Sequence, residues 1–307
     1  MQKIIDYIKS PRRLLLAIVK KTNFLYSDSA YLRLLYGLTM NRRLHLKRPV
    51  TFTEKIQWLK LHDKKEDYTL LVDKLAVKKY VAEKVGNDVV IPVLGVWDRA
   101  EDIDFEALPD QFVLKVNCGG GNTHVCICRD KHQIDYKQIR KKLSKGLKSG
   151  RNIYRVYRES PYRNVIPKIL AEQFIEDENR ADLTDYKFYC FGGKVKYCQV
   201  IRNRSICETI DFYDTQWVRQ PFYGLNREAR PSGVDLSRPE NYDKMVAIAS
   251  VLSQGFPFLR VDLYNVGGAV YFGELTFYPA SGLGLFTPEE YDKILGDLLQ
   301  LPFFEKN

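Results

Sequence analysis

The chain has 307 residues, 45% hydrophobic and 28% charged, a globular composition that excludes disorder over most of its length. The 48 Lys and Arg against 38 Asp and Glu leave a net charge of +10, which favours an anionic partner: nucleotide, phosphorylated substrate, nucleic acid or anionic membrane. No apolar run approaches the roughly 20 residues that a membrane-crossing helix needs.

Residues 1–70 read as a basic helical region punctuated by Pro11 and Pro49. Leu14–Val19 is its longest apolar run, hemmed in by Arg12, Arg13, Lys20 and Lys21, with no small-residue cleavage site after it. It reads as a basic amphipathic helix, either on the protein surface or in peripheral contact with an anionic inner membrane. Thr53 is the expected cap of the helix carrying Ile56, Trp58 and Leu59. Leu71, Leu75, Val77, Val81 and Val85 recur at helical spacing, which predicts one helix over Leu70–Val85 ending at Gly86.

Strand patterns follow at Val89–Trp97, Phe112–Val116 and Thr123–Cys128, the last two separated by Asn117–Asn122 with its three glycines. A basic stretch over 131–160 predicts a helix and a mobile loop. Strands resume at Val165–Phe174, and Asp185–Phe191 with Lys194–Arg202 form a hairpin on Gly192-Gly193. A helix near Tyr242–Ser253 leads to two strands, Phe258–Tyr264 and Ala269–Leu275, and a last helix starts near Pro288. The six cysteines form no CxxC or zinc spacing and read as reduced and mostly buried, which fits the cytoplasm.

Three places carry chemistry. Lys115 precedes Gly119, Gly120, Gly121 and Asn122, a point charge followed by backbone that can approach phosphate oxygens closely; without a following Lys-Ser/Thr it is not a Walker A loop. Asp262 and Glu274 lie in apolar strands joined by a short turn, so they are expected to face each other across the ladder. Two such carboxylates repel unless a cation sits between them, and oxygen ligands beside phosphate suit Mg²⁺. Arg260 shares their face and is placed to hold a phosphate oxygen. Finally, Glu172, Gln173, Phe174, Ile175 and Glu176 close a strand able to line an adenine pocket, with Lys187 in the next strand as a second cation or simply a solvated lysine.

In this order the motifs resemble the ATP-grasp superfamily, and more narrowly its TupA-like (teichuronopeptide-biosynthesis-like) group from gene sets for bacterial surface polysaccharides. Pro49–Lys60 and Val72-Asp73-Lys74 look like that group too, and the match spans about 48–300. The resemblance implies an α+β fold with ATP held between two lobes, divided here as 1–70, 71–185 and 186–307. It implies that Lys74, Lys115, Gly119–Asn122, Lys187 and the Glu172–Glu176 hinge hold ATP, with Glu176 or Glu178 on the ribose. Asp262 and Glu274 would bind Mg²⁺; many relatives have Asn two residues after that glutamate, where this chain has Thr276.

The expected reaction is ATP-dependent carboxylate–amine ligation through an acyl phosphate, joining an amino acid to an anionic surface glycan or its precursor. Arg260 and Arg202 are expected to stabilise the transferring charge, and the Ser281 and Gly282 amides to orient the acceptor. The rival readings are a sugar kinase using Asp185 or Asp211 as base and a glycosyltransferase using Asp102-Ile103-Asp104. A nucleic-acid module is disfavoured, because no reading helix, zinc finger or RNP-like strand pair is recognisable.

Overall fold

Helices open the chain because its apolar residues recur at helical spacing between good caps. The computed structural model describes residues 11–119, 124–150, 152–177, 182–225 and 230–302. Helix α1 (Pro11–Lys21) packs on α2 (Asp28–Met40), which Ser27 caps and left-handed Asn41 (φ 61°) closes. Helix α3 (Phe52–His62) starts one turn position earlier than expected. Thr51, not Thr53, is its cap: the Thr51 hydroxyl accepts from the Glu54 amide while the Glu54 carboxylate accepts from the Thr51 amide. Thr53 is instead buried, and both its amide and hydroxyl donate to Asp292 at 2.8 and 2.7 Å.

The helix expected over Leu70–Val85 is two, α4 (Tyr68–Val72) and α5 (Val77–Val85). The break is at Asp73, whose carboxylate accepts from the amides of Leu75 and Ala76 at 2.8 and 3.2 Å. An aspartate that bonds its own downstream amides competes with the helical ladder. The periodicity of the apolar residues runs through this break and hides it.

Two antiparallel sheets follow. The first, in order β1-β4-β2-β3, comprises β1 (Val93–Trp97), β2 (Phe112–Val116), β3 (Cys126–Cys128) and β4 (Ile169–Gln173). Its strands are shorter than the sequence suggests: Asn87–Val89 is a 3-10 turn, and Thr123 lies outside the described residues. Helix α6 (Tyr136–Gly150), followed by α7 (Ile153–Tyr157), packs on β2, and Gly146 permits the contact: a Cβ there would sit 2.7 Å from Val116 Cγ2.

The second sheet runs β10-β9-β5-β6-β7: β5 (Asp185–Phe191), β6 (Lys194–Arg202), β7 (Thr209–Asp214), β9 (Phe258–Val266) and β10 (Ala269–Thr276). The β5–β6 hairpin turns on Gly192 and Gly193 at φ 54° and 78°, the backbone that a tight two-residue turn demands. Strand β7 was not foreseen. A two-stranded sheet of β8 (Tyr223–Gly224) and β11 (Phe286–Thr287), then α8 (Tyr242–Leu252) and α9 (Glu290–Leu298), complete the fold.

Helix α3 is packed into this second half, not set apart with the basic start. Phe52 meets Phe191, Phe258 and Phe286 edge to face at 6.1, 5.0 and 6.0 Å. One large apolar core runs through both sheets, and a small separate cluster of Val19, Tyr31 and Leu35 anchors α1. None of the six cysteines forms a disulfide; five are buried and Cys207 is exposed.

Candidate active site

The two sheets face one cavity of about 460 Å³, a size ordinary for a small-molecule site. Its lining combines apolar side chains, among them Ile91, Val113, Val125, Ile127, Phe174 and Ile175, with charged ones from both sheets.

The carboxylate pair is built on β9 and β10. Alternation along β9 puts Arg260 and Asp262 on one face. A bulge at Gly273 in β10 then sets Glu274 opposite Asp262. The pairing expected from the short turn is therefore present. Three cations meet the two carboxylates. Arg260 donates to Asp262 at 2.6 and 2.7 Å, to Glu274 at 3.1 Å and to the Thr276 hydroxyl at 2.9 Å. Lys74 bonds Glu274, and Lys187 bonds Asp262 and reaches Asp185 at 3.3 Å. Burial alone would lift the Glu274 carboxyl, but Lys74, Arg260 and Lys187 outweigh it and hold it well below the ordinary carboxylate range. The same pairing keeps Lys74 and Arg260 above their usual values despite burial.

Lys74 arrives from far away in sequence. Asp73 breaks the α4–α5 helix and also accepts from the Asn117 side chain at 2.8 Å, while the Lys74 amide donates to Asn117 O at 2.8 Å. Buried Asn117 bonds Lys168 and Ile166 as well, so one side chain ties the exit of β2 to the segment presenting Lys74.

The opposite wall has its own network. Glu172 of β4 is buried and accepts from Lys115 at 2.5 Å and Lys78 at 2.8 Å; Lys78 also donates to Ile91 O at 2.7 Å. Burial pulls the Lys115 ammonium below its ordinary value, and Glu172 resists that pull. Glu172 thus orients lysines, and Phe174 and Ile175 line the cavity beside it. Arg129 lies 5.1 Å over the Phe174 ring and pairs with Glu176.

The cavity therefore brings together Lys74, Lys115, Glu172, Gln173, Phe174, Ile175, Glu176, Lys187, Arg260, Asp262 and Glu274, as the sequence grouped them. Gly119 enters its loop at φ 109°; Gly120, Gly121, Asn122 and Glu178 lie outside the described residues. Arg202 does not line the cavity. Asn203, at φ 55°, ends β6 and turns the chain so that Arg204 does, pairing with Asp185 at 2.8 Å. The Arg-x-Arg spacing was the available signal, and the left-handed Asn between the two arginines decides which of them enters.

Ser281 and Gly282 lie outside the cavity lining, in a turn with Ala280, Ser281 and Gly282 at φ 47°, 56° and 61°. The Ser281 amide donates to Tyr278 O at 2.8 Å, so it is already engaged. Its hydroxyl donates to Glu159, and its carbonyl accepts from Lys60 at 2.7 Å and Gln57 at 2.9 Å. Burial pulls Lys60 down to about 8 and pushes Glu159 up, each charge opposing the other's shift. Tyr162 lies near both Glu159 and Glu274; burial first, then these carboxylates, push its phenol well above the ordinary value.

Of the rival candidates, Asp185 lines the cavity beside Lys187 and Arg204, while Asp102, Asp104 and Asp211 lie outside its lining. Asp102 pairs with Arg99, and Asp104 caps the amides of Glu106 and Ala107, both in an exposed connection. Asp211 is buried under Arg219 at 2.7 Å.

A family model described as TupA-like ATPgrasp matches residues 54–300. The chain belongs to the TupA-like ATPgrasp family. Its fold is accordingly the α+β ATP-grasp fold, with Lys115 and the hinge on one sheet and the carboxylate pair on the other. Among solved structures it is similar to D-alanine–D-alanine ligase from Bacillus anthracis complexed with ATP, at 16% identity and TM-score 0.42 over 75% of this chain and 63% of that one. D-cycloserine synthetase matches at 16% identity and TM-score 0.41, over 75% and 71% of the two chains. An ATP-grasp RimK domain protein from Sphaerobacter thermophilus matches at 15% identity and TM-score 0.39, over 76% and 69%. The TupA-like chain thus spans less than two thirds of the first ligase's length. A search of curated proteins finds no match.

The carboxylate pair fits Mg²⁺. Two carboxylates and the Thr276 hydroxyl are too few for a cage made of protein alone, and no group of three or more His, Cys, Asp or Glu among the described residues supplies one. Magnesium is commonly held by one or two carboxylates together with substrate phosphates, and this donor set has that form.

Proposed function

We propose that this TupA-like protein is an ATP-dependent carboxylate–amine ligase working through an acyl phosphate. Its carboxyl and amine substrates would be an amino acid and a bacterial surface polysaccharide or its precursor. The observation that carries the reading is the register-paired Asp262 and Glu274, facing Lys74, Lys187 and Arg260 in one cavity lined also by apolar side chains. Family membership supports the nucleotide, the basic net charge supports an anionic co-substrate, and six cysteines without a disulfide suit the cytoplasm.

Asp262, Glu274 and Thr276 would hold Mg²⁺ beside the β- and γ-phosphates, where the ion supplies charge neutralisation during phosphoryl transfer. Lys74, Lys187 and Lys115 would exchange their carboxylate partners for phosphate oxygens. Phe174 and Ile175 would cover the base, and Arg129 its outer edge. A substrate carboxylate oxygen attacks the γ-phosphorus, the β–γ bridge bond breaks and ADP leaves. An amine then attacks the acyl carbon, loses a proton, and expels phosphate as the amide forms. Arg260 is placed to stabilise the charge of both transfers.

The test is product accounting. ADP and free phosphate should appear in equal amounts only when carboxyl and amine substrates are both present. Hydroxylamine in place of the amine should yield a hydroxamate. Phosphate retained on an acceptor would mean a kinase, and turnover of a nucleotide sugar without ATP would mean a glycosyltransferase.

A further inference from the structure

Helix α1 is apolar on both sides, and among the described residues only one side is covered. Val19 is buried against Tyr31 and Leu35, Leu16 packs beside it, and Arg12 is spent on the carbonyls of Leu38 and Gly37 at 2.6 and 3.3 Å. The opposite side presents Leu14, Leu15 and Ile18, at positions i, i+1 and i+4, with 43%, 51% and 46% of their surface exposed. Immediately beyond the helix, Phe24 and Leu25 are 78% and 67% exposed. Water-soluble surfaces rarely concentrate large apolar side chains in this way without something to bury them.

The charges around this face have one sign. No carboxylate occurs between Asp6 and Asp28, while Lys9, Arg12, Arg13, Lys20 and Lys21 do. Asp28 is itself engaged by Arg158 at 2.8 Å and Lys64 at 3.5 Å. Among the described residues no ion pair engages Arg13, Lys21 or the exposed Arg33 of α2. An apolar stripe edged by unpaired cations matches the acyl boundary and anionic headgroups of a bilayer surface, which rewards both features together. No described helix is long and apolar enough to cross a membrane, so the contact is peripheral.

We infer that the protein docks on an anionic lipid bilayer through the outer face of α1 and the Phe24-Leu25 turn. Leu14, Leu15, Ile18 and Phe24 enter the acyl boundary, and Arg13, Lys20 and Lys21 sit among the headgroups. This contact is independent of the nucleotide cavity and of the reaction proposed for it.

The experiment is co-sedimentation of the full chain with vesicles of phosphatidylcholine alone and with 30% phosphatidylglycerol, roughly 30% being enough to give a strongly negative surface. Binding should be at least about ten-fold tighter to the anionic vesicles and should weaken as salt rises. Leu15→Ser with Ile18→Ser should reduce it about ten-fold or more, and Arg13→Ala with Lys21→Ala should remove most of the anionic preference. All four positions are exposed, so the variants should keep the wild-type melting temperature. Wild-type protein that ignores anionic vesicles overturns the inference. So does self-association that Leu15→Ser with Ile18→Ser abolishes, because the face would then be a contact between copies.

Discussion

Replacing Glu172 by alanine probes how the buried lysines Lys115 and Lys78 are held. The wild-type carboxylate is buried and shared by Lys115 at 2.5 Å and Lys78 at 2.8 Å. Its removal strands two ammonium groups in a region that already penalises charge. Breaking a buried pair from one side typically costs about 3–5 kcal/mol. Lys78 keeps its bond to Ile91 O, which argues for the lower half of that range. For a chain of this length a loss of about 3 kcal/mol corresponds to a fall of roughly 5 °C in melting temperature. Glu172→Gln preserves the shape but keeps one acceptor oxygen for the two lysines, and should lose somewhat less.

The assay is thermal and urea unfolding of both variants across pH. Burial raises the Glu172 carboxyl, but Lys115 and Lys78 pull it below its ordinary 4.5. A depressed carboxyl contributes stability that is fully present above the unfolded value. That contribution is lost as pH falls through the folded one. The gap between wild type and Glu172→Gln should therefore be constant near neutrality and close below about pH 4.5. An alanine variant within about 1 kcal/mol of wild type, or a gap that ignores pH, would refute the reasoning.

Other outcomes follow from the same packing. Gly282→Ala should destabilise by about 2–3 kcal/mol in urea unfolding, because φ is 61° and a Cβ would lie 2.6 Å from Gln57 Nε2 and Ile56 Cγ2. Lys60→Met should destabilise the fold by removing the donor of the Tyr157 and Ser281 carbonyls and the positive charge near buried Glu159, and adding Glu159→Gln should recover part of it; a strictly additive double variant contradicts the charge coupling. Asp262→Asn should leave Arg260 and Lys187 with weakened partners, and so lower the melting temperature even without nucleotide.

Much of this arrangement is legible in the sequence for local reasons. The carboxylate pair is readable because a short turn joins its strands, which fixes the register within one residue or two. The Gly192-Gly193 hairpin is readable because only glycine tolerates two successive positive φ values cheaply. Thr51 as cap was readable as well, since Thr51-x-x-Glu54 is a capping box and Thr53 has no glutamate or glutamine at the matching position. The helix break at Asp73 was not, because the apolar period continues across it and the competing bonds come partly from Asn117, 44 residues away. The counter-ions were missed for the same reason. Spacing shows the carboxylate pair but not which cations meet it, because folding delivers Lys74 and Lys187 to it from other elements. Strand β7, Thr209–Asp214, was overlooked because its six residues include two aspartates that read as loop.

The central claim is that the cavity is a site for Mg²⁺ and ATP together. Asp262 and Glu274 are shared by Lys74, Lys187 and Arg260, so Mg²⁺ would compete with these cations for the carboxylates while ATP would draw the lysines toward its phosphates. Each ligand relieves the charge that the other leaves behind. The decisive measurement is the melting temperature with MgCl₂ alone, ATP with EDTA, and both. At about 100 times the dissociation constant, Mg-ATP should add roughly 2.7 kcal/mol. The joint shift should exceed the sum of the separate ones, and Glu274→Gln should abolish the excess. No response to Mg-ATP, or a response confined to a nucleotide sugar, would contradict the account.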